Sequence, residues 1–246
     1  MKRYLPFIII GAVLLVAIGG GLLLSSSRNA PQSGSESATG LTGLPNAASP
    51  SPSDSAASSS SPVAARSPAA GANPPHFRGG EKASVTLEEF GDFQCPPCGL
   101  LDPELRKLEA EFGTRLRVIF RNFPLTKMHK NALDAARAAE AAGVQGKYWE
   151  MHDMLYDKQN EWSVMPDARP TLAGFAARLG LDVERYTRDM DSRQVETRII
   201  NDITRGDSMG VKGTPTLFIN GREIPAASMT AAGLRAEINN ALNEKR

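Results

Sequence analysis

The sequence has only two cysteines among its 246 residues, and two prolines separate them. So short a spacing excludes a disulfide framework that ties distant loops together. The formal net charge is only +1, and no cluster of Lys and Arg is interleaved with the few aromatic residues. The chain therefore lacks the basic surface that nucleic-acid binding requires, and we expect no nucleic-acid partner.

The longest apolar run of the sequence lies near the N-terminus. Residues 5–24 are apolar, follow Lys2 and Arg3, and match the roughly 20 residues needed to cross a bilayer as a helix. The positive charges before this run place the N-terminus in the cytoplasm. We predict a single-pass anchor at residues 1–24 in the cytoplasmic (inner) membrane, with the remainder on the extracytoplasmic, periplasmic side.

A cleaved secretory signal is the alternative, because Ala17 and Gly19 have the spacing of small residues that a signal peptidase accepts. Both interpretations export the rest of the chain. Residues 25–80 are mostly Ser, Ala, Pro and Gly, a composition that cannot offset the entropy of ordering. We predict a disordered linker there, followed by one folded domain at residues 81–246.

The folded domain begins with a strand–helix–strand pattern. Residues 83–90 are β-prone, apolar residues recur at helical spacing from Cys98 to Phe112, and Leu116–Phe120 has alternating β-branched residues. The helical connection predicts that the two strands are parallel.

Helical character fills residues 127 to about 210. Strand character returns at residues 216–219, and Asn220-Gly221 predicts a hairpin turn into residues 222–224. A last helix is predicted at residues 231–242. This order indicates an α/β fold in which a central sheet is interrupted by an inserted helical block.

The CPPC motif lies at the start of the first helix. There the helix dipole favours the Cys95 thiolate and lowers its pKa, so Cys95 is the predicted nucleophile and Cys98 the resolving thiol. Pro96 and Pro97 fit a helix start but donate no backbone N–H, so only Cys98 offers a nearby amide. We therefore expect a less stabilised thiolate, and a milder oxidant, than in centres with a histidine between the sulfurs.

Two other interpretations of the cysteines carry less weight. A structural disulfide that closes so short a loop stabilises little. A zinc or copper site needs further ligands, and the chain offers only His76 in the linker and His129 and His152 in helical stretches.

Two motifs resemble the DsbA-like branch of the thioredoxin superfamily: EEFGDFQCPPC at residues 88–98 and GVKGTPTLFING at residues 210–221. The resemblance implies a thioredoxin-like fold with a cis bond between Thr214 and Pro215, beside the dithiol. It also implies that Thr214 and Pro215 bind an extended substrate segment, and we add Pro96 and Pro97 to these contacts. Glu89 matches a buried acid that carries a proton for the resolving cysteine.

The resemblance implies an extracytoplasmic thiol:disulfide oxidoreductase that exchanges its dithiol with reduced or misoxidised exported proteins and needs no cofactor. We expect an oxidase, recycled by a membrane protein of the DsbB or VKOR type. A reductase or isomerase on the same scaffold is the first alternative, and a metal carrier or chaperone module is the second.

Overall fold

The computed structural model describes residues 67–244. Its strands in chain order are β1 Phe77–Gly79, β2 Val85–Gly91, β3 Leu116–Asn122, β4 Thr216–Ile219 and β5 Arg222–Glu223. Across the sheet their order is β1-β3-β2-β4-β5, with β2 and β3 parallel and the other neighbours antiparallel. The predicted anchor and linker residues 25–66 lie outside the described residues. Within residues 67–244, no helix has the length and apolar character to span a membrane.

The predicted strand–helix–strand unit is confirmed. Helix α1 (Pro96–Phe112) starts at the two prolines, as the CPPC motif predicted, two residues before the apolar spacing begins. Leu101, Leu105 and Leu108 pack against the sheet, whereas Leu100 is 80% exposed and is not part of the apolar face as the spacing suggested.

The predicted helical block is also confirmed, and it lies between β3 and β4. Its helices are α2 Ala132–Val144, α3 Tyr148–Asp157, α4 Gln159–Trp162, α5 Arg169–Arg178, α6 Val183–Met190 and α7 Arg193–Ser208. The small alanines of α2 are almost all buried, which lets the neighbouring helices pack closely against it. Trp162 and Tyr186 fill the centre of this block.

The hairpin and the last helix follow as predicted. Asn220 and Gly221 have φ values of 50° and 83°, the left-handed region that the turn requires. Helix α8 (Ala231–Asn243) packs with α1 on one face of the sheet, and α7 approaches the opposite face. Both faces of the sheet are therefore covered.

Residues 67–80 were predicted to belong to the linker, and this boundary is wrong. Strand β1 pairs with β3, and the buried Ala72 donates its N–H to Asp202 Oδ1 at 2.9 Å. Arg121 Nη1 in turn donates to the Ala72 carbonyl at 2.8 Å. Backbone hydrogen bonds and charged partners, rather than apolar side chains, hold this segment, so its composition resembles that of a linker.

The adjacent glutamates of β2, Glu88 and Glu89, are both buried. Their side chains point to opposite faces of β2, yet Glu88 is 6% and Glu89 3% exposed. Glu88 is buried because Arg121 of β3 and Arg205 of α7 bind its carboxylate.

Candidate active site

The two cysteines lie where the chain enters α1. Cys95 is the N-cap residue and Cys98 lies one turn into the helix, and both are free thiols. Backbone contacts fix the entry: Cys95 N–H donates to Asp92 O at 3.0 Å, and Gln159 Nε2 donates to Cys95 O at 2.9 Å. Cys95 retains 4% exposure and Cys98 has none, so Cys95 is the more accessible of the two thiols.

The second predicted motif meets the dithiol as expected. The Thr214–Pro215 peptide bond is cis, and Cys95 Sγ donates to the Thr214 carbonyl at 3.3 Å. This contact joins residues 119 positions apart in the sequence. Pro96 and Pro97 are exposed beside the sulfur.

The surroundings of the two sulfurs separate their pKa values. A hydrogen bond from the Cys98 side chain lowers the pKa of Cys95 to about 6. Burial opposes this shift, whereas the Thr214 side chain and the Cys98 backbone amide add to it. Burial, with the hydrogen bond to Cys95, raises the pKa of Cys98 far above its usual range. The centre therefore has one thiolate and one protonated thiol at neutral pH, as the resolving scheme requires.

Glu89 lies beneath the dithiol, on the α1 side of β2. Burial, with the charges of Asp102 and Cys95, raises the pKa of Glu89 to about 8. Its Oε1 atom has no hydrogen-bond partner within residues 67–244. A protonated buried carboxyl next to Cys98 has the state that a proton donor needs.

Asp92 anchors the loop before the dithiol and was not predicted from the sequence. Its carboxylate accepts hydrogen bonds from the backbone of Gln94 at 2.7 Å and Leu125 at 2.9 Å. His129 Nδ1 lies 2.7 Å from Asp92 Oδ2. His129 is thus in the loop before α2, not in a helical stretch as expected, because this contact holds it against Asp92.

Asp102, His152 and Asp153 form a second unpredicted group, and their ligand atoms lie within 4.8 Å of one another. Asp102 lies seven residues after Cys95 and shares one face of α1 with Cys98. This spacing was the signal for Asp102 that the sequence offered. The placement of His152 on α3 offered none.

The candidate metal ligands do not gather around the dithiol. His76 stacks on Tyr148 with a centroid separation of 3.5 Å and lies 3.0 Å from Glu140. It belongs to the folded domain rather than to the linker, because β1 and the chain before it are ordered. His152 lies in α3 as predicted and is buried.

Residues 72–240 match a family model described as thioredoxin, which covers more than half of the chain. The chain belongs to the thioredoxin family. The resemblance based on the two motifs is therefore confirmed, and the match begins before residue 81, in agreement with the ordered N-terminal segment.

Curated relatives of this thioredoxin-family chain include much longer proteins. A Na(+)/H(+) antiporter NhaA 1 of Salinispora arenicola is 46% identical over 148 residues, which are 60% of this chain and 22% of the antiporter. An NhaA 1 of Mycolicibacterium gilvum is 40% identical over 151 residues, 60% of this chain and 23% of that protein. The chain thus spans about a fifth of the length of these relatives.

Solved structures of thiol oxidoreductases share the fold. A thioredoxin-like oxidoreductase from Silicibacter pomeroyi is 26% identical with a TM-score of 0.57, and the match covers 70% of this chain and 92% of that one. Oxidised BdbD from Bacillus subtilis is 22% identical with a TM-score of 0.61, covering 72% and 100%. The thiol-disulfide exchange protein alpha-DsbA2 from Wolbachia pipientis is 21% identical with a TM-score of 0.59, covering 68% and 86%.

Proposed function

We propose that this thiol:disulfide oxidoreductase is an oxidase that passes its Cys95–Cys98 disulfide to reduced exported proteins. The lowered pKa of Cys95, about 6, is the observation that carries the proposal. A thiolate that is stabilised in the dithiol state favours that state, so the disulfide is readily given up to a substrate. A value near 6 rather than near 4 agrees with an oxidant of moderate strength.

The reaction uses the two sulfurs in turn. A substrate thiolate attacks Cys95, and a mixed disulfide forms while Cys98 leaves with the electron pair. Because the pKa of Cys98 is strongly raised, its thiolate takes up a proton as it forms. Glu89, with a pKa of about 8, is the proposed donor of that proton.

Substrate binding is assigned to the rim around Cys95. The backbone of Thr214 next to Pro215 pairs with an extended substrate segment, a binding mode that reads little sequence. Pro96 and Pro97 supply an exposed apolar surface on the other side of the sulfur. This arrangement suits a protein that acts on many partly folded substrates.

The proposed compartment is extracytoplasmic, with residues 5–24 as the membrane anchor. A membrane protein of the DsbB or VKOR type is the proposed recycler, and the cysteine pair is the proposed redox group without a further cofactor. Support comes from the apolar run after Lys2 and Arg3, and from the similarity of the fold to alpha-DsbA2 and BdbD.

The equilibrium of the dithiol with glutathione tests the direction of exchange. We expect a reduction potential less negative than about −250 mV, and a more negative value would instead assign a reductase. The Cys98→Ala variant should trap substrates as mixed disulfides, whereas Cys95→Ala should trap none. Equal trapping by the two variants, or a stoichiometric metal in the purified protein, would contradict the oxidase.

A further inference from the structure

A small cavity with a mainly apolar lining lies behind the dithiol, between the sheet, α1 and α3. Glu89, Asp102 and His152 line it together with apolar walls that include Phe120 and Trp149. The space open to the centre of a water molecule is about 10 Å³. That is close to the volume needed for one water, and the polar side chains of the lining offer the partners that such a water requires.

Beyond the cavity, polar contacts continue to the protein surface. His152 Nδ1 lies 4.0 Å from Asp102 Oδ1 and 3.0 Å from Asp153 Oδ1. The side chains of Asp102 and His152 are each 4% exposed, whereas that of Asp153 is 31% exposed. Both aspartates approach the same ring nitrogen, and only Asp153 is within hydrogen-bond distance of it. The imidazole of His152 therefore lies between the cavity that Glu89 also lines and a carboxylate that reaches solvent.

Two atoms on this route are unpartnered. Glu89 Oε1 and His152 Nε2 are buried and have no hydrogen-bond partner among the described residues. Buried polar atoms without partners are uncommon and costly, so each calls for an explanation. One water in the cavity, or transient proton transfer, would use these free positions.

We propose that His152 and Asp153 form a proton relay that connects Glu89 with solvent across the cavity, and that Asp102 supports this relay through its charge beside the imidazole. The inference rests on the proposed function, in which Glu89 protonates Cys98. The three residues do not contact the sulfurs, so they act through Glu89 as positioning residues.

The proton balance of substrate oxidation shows what the relay supplies. When a substrate thiolate forms its bond with Cys95, the bond between the two cysteines breaks and Cys98 takes the proton of Glu89. The Glu89 carboxylate then regains a proton from solvent through Asp153 and the two ring nitrogens of His152. A second substrate thiolate releases Cys95 as a thiolate, so that two electrons and one proton have entered the centre. Reoxidation returns the proton by the same route.

The same three residues are poorly suited to a metal ion. Arg106 Nε donates to Asp102 Oδ2 at 2.8 Å, and Arg78 pairs with Asp153 and lies 3.6 Å from Glu109. The two guanidinium groups thus occupy the carboxylates that a cation would need. Asp157 is a further charged group near the cavity and accepts a hydrogen bond from Arg106 at 2.5 Å. The Tyr156 side chain lies near Glu89.

The pKa directions of the two buried groups agree with a relay. Against the effect of burial, hydrogen bonds with His152 and Arg78 lower the pKa of the outer group, Asp153, so it stays ionised and can accept a proton from solvent. Burial raises the pKa of Asp102, opposed by the charges of His152 and Arg106. Burial lowers the pKa of His152, opposed by its contacts with Asp153 and Asp102. Both shifts favour the uncharged forms, which a group must be able to reach to pass a proton on.

Stopped-flow measurement of the reduction of the oxidised full-length protein by a thiol peptide tests the relay. We expect His152→Gln and Asp102→Asn to slow the reduction of the Cys95–Cys98 disulfide by up to roughly tenfold. This is smaller than the rate enhancement that a positioned proton donor supplies. The solvent deuterium isotope effect should increase in both variants. Added imidazole should restore the rate of His152→Gln and leave the wild type unchanged.

Asp202→Asn is the matched control, because Asp202 is an equally buried aspartate held by Arg121 on the other face of the sheet. It should be destabilised but show wild-type rates and isotope effects. Glu89→Gln separates the two proposals. If Glu89→Gln slows reduction while His152→Gln and Asp102→Asn behave like the control, the relay is overturned and the proposed function stands. If Glu89→Gln has no effect, the proton-donor role of Glu89 fails first.

Discussion

At the scale of single residues, Glu89 shows how burial controls chemistry. Its carboxyl is protonated in the fold up to a pH of about 8, whereas in the unfolded chain it ionises near 4.5. Between these values the native state binds one proton more than the unfolded state, so stability falls as the pH rises through this window. Above it, both states are ionised and the loss is complete.

We therefore predict that Glu89→Gln changes the pH dependence of stability. At pH 5 the variant should be close to the wild type, and by pH 9 it should be the more stable protein, because no buried charge forms. Chemical denaturation at several pH values measures this. The Glu81→Gln variant, at an exposed position before β2, should follow the wild type throughout, and a parallel course for Glu89→Gln would show that Glu89 ionises normally.

Individual residues also show how far the sequence can predict a site. Cys95, Cys98 and Pro215 could be located because each belongs to a local motif with its own chemistry. Spacing places Asp102 on the Cys98 face of α1, but its contact with His152 could not be predicted, because the two residues become neighbours only when α1 and α3 pack side by side. His152 is 50 positions from Asp102, and spacing rules relate only side chains within one helix or strand.

At the scale of elements, the interior ion pairs hold β2, β3, α7 and the N-terminal segment together. Glu88 receives hydrogen bonds from Arg121 Nε at 2.7 Å and from Arg205 Nε at 2.7 Å. Asp202 pairs with the same Arg121 at 3.0 Å. Local patterns predicted the strands and helices themselves, but not this network or β1, since neither has an apolar periodicity.

Removing the charge of Glu88 should weaken all four elements at once. We predict that Glu88→Gln lowers the free energy of unfolding by about 3 kcal/mol, because Arg205 loses its counter-charge and the buried Arg121 keeps only Asp202. Glu237→Gln breaks only the pair with the exposed Arg222 and should cost about 0–1 kcal/mol. Equal losses in urea denaturation of the two variants would show that the network does not hold the N-terminal segment.

At the scale of the whole molecule, the redox state of two sulfurs is coupled to the stability of the fold. The pKa of Cys95 falls from near 9 in the unfolded chain to about 6 in the native dithiol. A lowered pKa stabilises the native state fully above the unfolded value, and this contribution is lost as the pH falls through about 6. The disulfide form has no thiolate and lacks this contribution.

The reduced protein should therefore gain stability over the oxidised protein as the pH rises from about 6 to about 9. We predict that the melting temperature of the dithiol form, relative to the disulfide form, increases across this range, by roughly 2–4 °C for each kcal/mol. The short disulfide loop adds little to the oxidised form. Cys95→Ser lacks the thiolate and should show no such rise relative to the disulfide form. A melting-temperature difference that stays constant from pH 6 to pH 9 would remove the energetic basis of the oxidase, because the dithiol would then have no stabilised thiolate to drive the transfer of the disulfide.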